Sequence, residues 1–255
     1  MAMQNETKNP ESHWFGYTHI DPKDKTGLVR GVFDSVAENY DVMNDAMSLG
    51  IHRIWKSVFV AMAAPRAGEV IIDLAGGTGD IAFRMARRTG GLSDISICDI
   101  NIQMLLVGRN RAYDKGYGRD IRFACGNAEA LPYPDNHADL ITIAYGLRNV
   151  AQIDTALAEI SRALKPGGRF FCLEFSTVKN PALSKAYDTY SFALLPRLGQ
   201  VIAGDGESYQ YLAESIRQFP APDDLAGRMR NCGLSNVGWR TLSGGISAIH
   251  HGVKV

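Results

Sequence analysis

The hydrophobic pattern changes character along the chain. The first 27 positions are polar and read as poorly ordered. From Gly31 to Met43, and again from His52 to Ala64, the pattern predicts helices; in the second, Trp55, Val58 and Phe59 recur at helical spacing, and Pro65 and Gly68 close the region. After Gly68 the period shortens. The stretches 69–75, 94–100, 120–126, 138–146 and 169–176 are short apolar runs rich in β-branched residues, which predicts buried strands. Between them, 81–88, 101–115 and 153–164 carry helical spacing, clearest in Ile153, Leu157, Ile160 and Leu164. Strand and helix thus alternate for over 100 residues, which argues for a parallel sheet covered by helices on both faces. The segments 235–243 and 246–255 read as two further strands joined by Gly244-Gly245, an antiparallel hairpin on the sheet edge. Between the fifth strand and this hairpin lies an inserted helical element, roughly 182–219. Its apolar residues recur every three or four positions, Pro196 is set to kink it, and it is placed to cover a site.

Composition narrows the function classes. With 255 residues, 45% hydrophobic and 21% charged, the chain can bury a core without disulfide or metal, and extensive disorder is excluded. Lys+Arg and Asp+Glu are both 27, so the basic excess expected of a nucleic-acid-binding chain is missing. Neutrality also leaves little repulsion between copies, which allows a homodimer. Cys98, Cys125, Cys172 and Cys232 form no C-x-x-C pair and no zinc spacing; the first three sit in apolar stretches and read as buried thiols, pointing to a reducing, cytoplasmic setting and no metal. The N-terminus lacks an apolar signal region. The longest clean apolar run, Val58 to Ala64, is seven residues against the ~20 that span a bilayer, so a soluble or at most peripheral protein is expected.

The densest chemistry is the run Asp73-Leu74-Ala75-Gly76-Gly77-Thr78-Gly79-Asp80 at the end of the first strand. Glycines there let the backbone turn and approach a ligand, and an open parallel sheet binds ligands at its carboxyl edge. Gly77-x-Gly79-x-x-Ala82, with Asp99 20 residues after Gly79, also fits a dinucleotide fingerprint. The loop alone therefore leaves a nicotinamide nucleotide and other adenosine ligands open. The neighbours favour one of them. Asp73 and Asp80 flank the glycines and would repel a pyrophosphate but attract an ammonium or sulfonium. Asp99 can accept from ribose hydroxyls, and Asn127-Ala128-Glu129 follows the third strand where an adenine edge could be read. These are the requirements of S-adenosylmethionine.

DLAGGTGD, CDIN, GNAEALPYPD, YGLRNV and LKPGG resemble a class I S-adenosylmethionine-dependent methyltransferase. More narrowly, residues 33–56 (FDSVAENYDVMNDAMSLGIHRIWK) and 145–150 (YGLRNV) are similar to the paired signatures of the ubiquinone/menaquinone biosynthesis C-methyltransferase family. The resemblance runs from about residue 28 to the C-terminus. It implies a doubly wound, mostly parallel seven-stranded sheet, with residues 1–65 as a helical lid and 66–255 as the donor-binding core. It implies methyl transfer to a ring carbon of a polyprenylated quinol, met at a membrane surface or within a quinone-biosynthesis complex, with the protein cytoplasmic and at most peripheral at the inner membrane. Thr78, Asp99, Asn127 and Ala128 match the family's donor-contacting positions. Ala144 stands where the family often has serine, so a hydroxyl contact is replaced by at most a backbone one. For catalysis the resemblance points to Arg148, as a group that stabilises a phenolate or orients a water, or else pairs structurally with a carboxylate such as Asp154. Tyr40 and Asp41 are candidates to close over the site. His52 reads as a structural histidine.

Overall fold

The computed structural model describes residues 14–36, 45, 48, 50–178 and 206–255. Seven strands form one sheet: β1 (Val70–Leu74), β2 (Asp94–Asp99), β3 (Ile121–Cys125), β4 (Ala138–Ala144), β5 (Leu164–Phe175), β6 (Leu234–Leu242) and β7 (Ser247–Lys254). Their spatial order is β3-β2-β1-β4-β5-β7-β6. The first five strands run parallel, and β7 pairs antiparallel with both β5 (Phe171↔His251) and β6 (Trp239↔His250). The alternation and the terminal hairpin expected from the pattern are thus both present.

Both faces of the sheet are covered, which is why β1 reads as an apolar run interrupted only by Asp73. Ile71 and Ile72 point to opposite faces, and both are fully buried. On the Ile71 side pack α2 (His52–Ala63), α3 (Asp80–Thr89) and α4 (Ile102–Asp114), through Trp55, Phe59, Phe83, Met85 and Leu105. On the Ile72 side pack α5 (Ile153–Ala163) and α7 (Pro222–Asn231), through Leu157, Ile160 and Met229. Strand order reverses between β1 and β4, and in such sheets the crevice at that switch point is where ligands bind.

Four expectations need correction. α1 spans Pro22–Val36, beginning nine residues before the expected Gly31: Pro22 sits at its first turn with Asp24 behind it, start signals hidden by the polar run KDKTG. Trp14–Phe15 and Thr18–His19 form a short antiparallel ribbon within the stretch expected to lack order. α7 escaped detection although Pro222 opens it, Asp223 and Asp224 occupy its first turn, and Arg228 and Arg230 its last. Cys125 is exposed, because it ends the edge strand β3, while Cys98 and Cys172 are buried as expected. Of the inserted element, α6 (Gly206–Gln218) is described; the remainder, including Pro196, lies outside the described residues, as do Tyr40 and Asp41. No helix among the described residues is long and apolar enough to cross a membrane.

Candidate functional site

Both strands of the switch point end in an unusual turn. Ala75 follows β1 with φ 50°, and Tyr145 follows β4 with φ 58°. Left-handed backbone at non-glycine residues costs about 1–3 kcal/mol each and persists only where the surroundings enforce it. Around Tyr145 the enforcement is visible: its N–H donates to the Leu173 carbonyl at 2.8 Å, and its ring packs on Phe175 with centroids 4.8 Å apart. Beyond Ala75, a side chain at Gly76 would place Cβ 2.9 Å from the Asp73 carbonyl, the Asp73 carboxylate and Ile97 alike. Gly79, with φ 87°, then turns the chain into α3. Glycine at 76 is therefore fixed by close approach and at 79 by backbone conformation.

These turns border a cleft of about 1080 Å³, part of it open to solvent. Its floor is the segment from Asp73 to Thr78. One wall comes from Asp99–Asn101 and Met104, another from Gly126–Glu129, a third from Ala144–Gly146 and Asn149–Ala151. Thr26, Val29 and Arg30 of α1 and Lys56 of α2 close the remaining side. Asp73, Gly76, Gly77, Thr78, Asp99, Asn127, Ala128 and Ala144, all nominated from sequence, thus meet at one cleft. Gly79 shapes the loop but does not line it.

The charges differ from the simple picture of two acids awaiting a cation. Asp73 is buried; its Oδ1 accepts from Thr142 Oγ1 at 2.9 Å and its Oδ2 from the Ala82 N–H at 3.1 Å, within the first turn of α3. Desolvation outweighs those bonds and raises its pKa to about 7. Asp99 accepts from the Gly77 N–H at 2.9 Å and the Asn101 N–H at 2.8 Å, tying the glycine loop to β2, and burial raises its pKa to about 6. Asp80 works against burial: Lys56 Nζ lies 3.0 Å from Oδ2 and Arg84 Nε 2.9 Å from Oδ1, and together they hold its pKa below the usual value. The repulsion assigned above to Asp80 is consequently neutralised, leaving Asp73 and Asp99 as the cleft's own acids. Glu129 is engaged too, accepting at Oε1 from the Ala151 and Gln152 N–H groups at 3.0 Å.

Arg148 does not line this cleft. Its Nη1 donates to Glu174 Oε2 at 2.8 Å and to the Tyr145 carbonyl at 2.7 Å, and the side chains of Arg148 and Glu174 are 2% and 1% exposed. The Phe175 ring flanks the guanidinium at 5.4 Å. Asp154 is not its partner; that carboxylate faces Arg228 at 3.7 Å. Arg148 instead borders a smaller cavity of about 320 Å³ beside Trp14, Lys25 and Tyr211. From the same loop Tyr145, Gly146, Asn149 and Val150 reach the cleft, and Asn149 Oδ1 accepts from Tyr211 Oη at 3.1 Å. His52 is buried, with Nδ1 2.8 Å from Ser48 Oγ, and desolvation lowers its pKa to about 4, which fits the structural role expected of it. Sequence reasoning missed Lys56 and the supporting residues Thr142 and Glu174. Lys56 stood inside a recognised signature, but helical spacing alone does not say which polar position of a helix meets a cleft.

The model of the ubiE/COQ5 methyltransferase family matches residues 20–254. The chain belongs to that family. It is 51% identical over 245 residues to the ubiquinone/menaquinone biosynthesis C-methyltransferase UbiE of Brucella abortus (strain S19), covering 95% of this chain and 91% of the relative. To the protein of the same name from Rhodopseudomonas palustris (strain HaA2) it is 50% identical over 252 residues, covering 98% and 100%. Among solved structures, a SAM-dependent methyltransferase from Aquifex aeolicus superposes with a TM-score of 0.56 at 14% identity, over 78% of this chain and 89% of that one, a likeness of fold alone. As a member of the ubiE/COQ5 family the protein is a methyltransferase that takes its methyl group from S-adenosylmethionine, which settles the choice the glycine loop left open. The cleft fits that donor: it offers buried carboxylates for cationic and hydroxyl groups, and glycines where a side chain would intrude.

Proposed function

We propose that this ubiE/COQ5-family methyltransferase methylates a ring carbon of a polyprenylated quinol, either demethylmenaquinol or 2-polyprenyl-6-methoxy-1,4-benzoquinol or both, in menaquinone or ubiquinone assembly. The observation that carries the reading is the 50% identity over 98% of the chain to a C-methyltransferase of that name. The family match runs from before α1 to the end of β7 and so takes in every cleft-lining element.

The chemistry asks for alignment more than for activation. The donor's methyl carbon is already electrophilic, and holding it in line with a nucleophilic carbon can supply about 7–11 kcal/mol of barrier lowering. In this reading Asp73, Gly76, Gly77, Thr78, Asp99, Asn127, Ala128 and the Ala144 backbone hold the donor. The acceptor approaches past Asn149, whose amide group donates to a quinol oxygen. Loss of a phenolic proton, through water, drives electron density onto the adjacent ring carbon, so the quinol reacts and the electron-poor quinone does not. Arg148 acts through the loop rather than on the substrate: its ion pair with Glu174 fixes the 145–149 segment that borders the cleft. Tyr40 and Asp41, outside the described residues, remain this reading's further candidates for contact with the quinol or the sulfonium. The prenyl tail, partitioning at about 0.8 kcal/mol per buried methylene, keeps the substrate in a bilayer, so the enzyme works at a membrane surface or in a biosynthetic complex, as a monomer or homodimer.

The test is turnover of prenyl-quinol in vesicles with labelled S-adenosylmethionine, followed by mass spectrometry. Gain of one ring-bound methyl group by the quinol, with none by the quinone, is expected. Methylation of only tail-free or non-quinol acceptors would overturn the substrate assignment.

A further inference from the structure

The donor carries a carboxylate as well as two cationic centres, and a cleft whose own acids are Asp73 and Asp99 must still accommodate that negative charge. We infer that Lys56 is the counter-charge for the donor's α-carboxylate and that, with Asp73 facing the α-ammonium, it forms a clamp selective for a zwitterionic amino-acid end. This rests on the S-adenosylmethionine reading of the cleft.

Four observations support it. Lys56 is only 5% exposed, and a lysine so buried keeps its charge only when countered. Its partner Asp80 also receives Arg84 on its other oxygen, so two cations share that carboxylate and Arg84 keeps it paired when Lys56 turns to a second one. Among the described residues lining the cleft, the cations are Lys56 and Arg30. Arg30 is exposed and its Nη2 reaches the Ile100 carbonyl at 3.4 Å, next to Asp99 at the ribose end. Lys56 borders the opposite end, beside Asp73, Thr78 and Asp80, where the glycine loop turns into α3. A carboxylate entering there meets Lys56, while Asp73, fixed by Thr142 and the Ala82 N–H, faces the ammonium beside it. α2 thereby contributes a donor-binding residue from outside the strand–helix core.

Binding calorimetry with two probes tests this: S-adenosylhomocysteine, and its decarboxylated analogue, which keeps the ammonium and loses the carboxylate. A charge-assisted contact of this kind predicts that the parent protein prefers the first by about 10- to 100-fold. In Lys56→Met the preference falls below about threefold, through loss of affinity for S-adenosylhomocysteine alone. Arg84→Gln, which breaks the outer contact to Asp80 without touching the cleft, retains the preference. Should Lys56→Met fail to fold, Lys56→Met/Asp80→Asn removes both charges of the inner pair together and gives the same readout. Equal weakening of both probes in the variant, or an undiminished preference, overturns the role of Lys56 while leaving the donor assignment intact. If the parent binds neither probe, the donor reading itself fails.

Discussion

Replacing Glu174 by glutamine keeps the side chain's size and removes its charge. In the parent, that carboxylate accepts from Arg148 Nη1 at 2.8 Å, from the Arg148 N–H at 3.2 Å and from the Phe175 N–H at 3.1 Å. With both side chains almost fully buried, Glu174→Gln strands a guanidinium that water cannot reach. Breaking a buried pair from one side costs about 3–5 kcal/mol, which for a chain of this size lowers Tm by roughly 6–20 °C. The internal control is Arg122–Asp94, whose side chains are 61% and 46% exposed; Asp94→Asn should cost no more than about 1 kcal/mol, under ~4 °C. A second control is Arg148→Met/Glu174→Gln, which removes the stranded charge and should melt above Glu174→Gln alone. Thermal unfolding followed by circular dichroism reads all four proteins. A Glu174→Gln protein melting within about 2 °C of the parent, or a double variant less stable than the single one, would refute the reasoning that this pair locks the 145–149 loop.

Donor affinity should depend on pH with a definite sign. Burial holds Asp73 at about 7 and Asp99 at about 6, and an ammonium- and hydroxyl-bearing ligand favours their ionised forms, so affinity for S-adenosylhomocysteine rises as pH climbs through 6 and 7 and levels only above the Asp73 value; a flat calorimetric profile would contradict this. Stability of the ligand-free protein carries the companion effect. Because the folded-state pKa of Asp73 is raised, its contribution is full below about 4 and is lost as pH rises through 7. His250 runs the other way: burial lowers it to about 4, so its contribution is present above about 6.5 and is lost as pH falls. Denaturant titrations should therefore show Asp73→Asn gaining on the parent as pH climbs from 4 to 8, and a constant difference would count against the assignment. Gly76→Ala forces Cβ into three atoms at 2.9 Å, predicting a loss of about 1–3 kcal/mol in unfolding experiments and of most donor affinity. Tyr211→Phe removes the donor to Asn149 Oδ1, which should cost about 0.5–1.5 kcal/mol of stability and reduce kcat with donor Kd unchanged.

The sheet was readable because its inner strands are buried on both faces, so their apolar runs stand out and the glycines punctuate them. The donor cleft was readable for a related reason: the loop at Gly76–Gly79 and the acids at Asp73 and Asp99 follow strand ends, where topology alone brings them together. α1 and α7 were harder. Their polar faces dilute the apolar period, and only caps and first-turn charges mark them, as Pro22 and Pro222 do. Pairings across long sequence distances were not readable at all. Arg148 could be nominated, but nothing in the chain says that Glu174 of β5 will claim its guanidinium, since that follows from the β4–β5 register. The same holds for Lys56 and Asp80, which meet because α2 packs on α3.

The central claim is that the crevice between the tips of β1 and β4 is the site of a sulfonium donor. Calorimetry of the purified protein with S-adenosylmethionine and with NADH, in parallel with Gly76→Ala, tests it most directly. Saturable binding of S-adenosylmethionine that the substitution abolishes, with no heat from NADH, is the predicted result. Binding of NADH and indifference to S-adenosylmethionine would contradict the account.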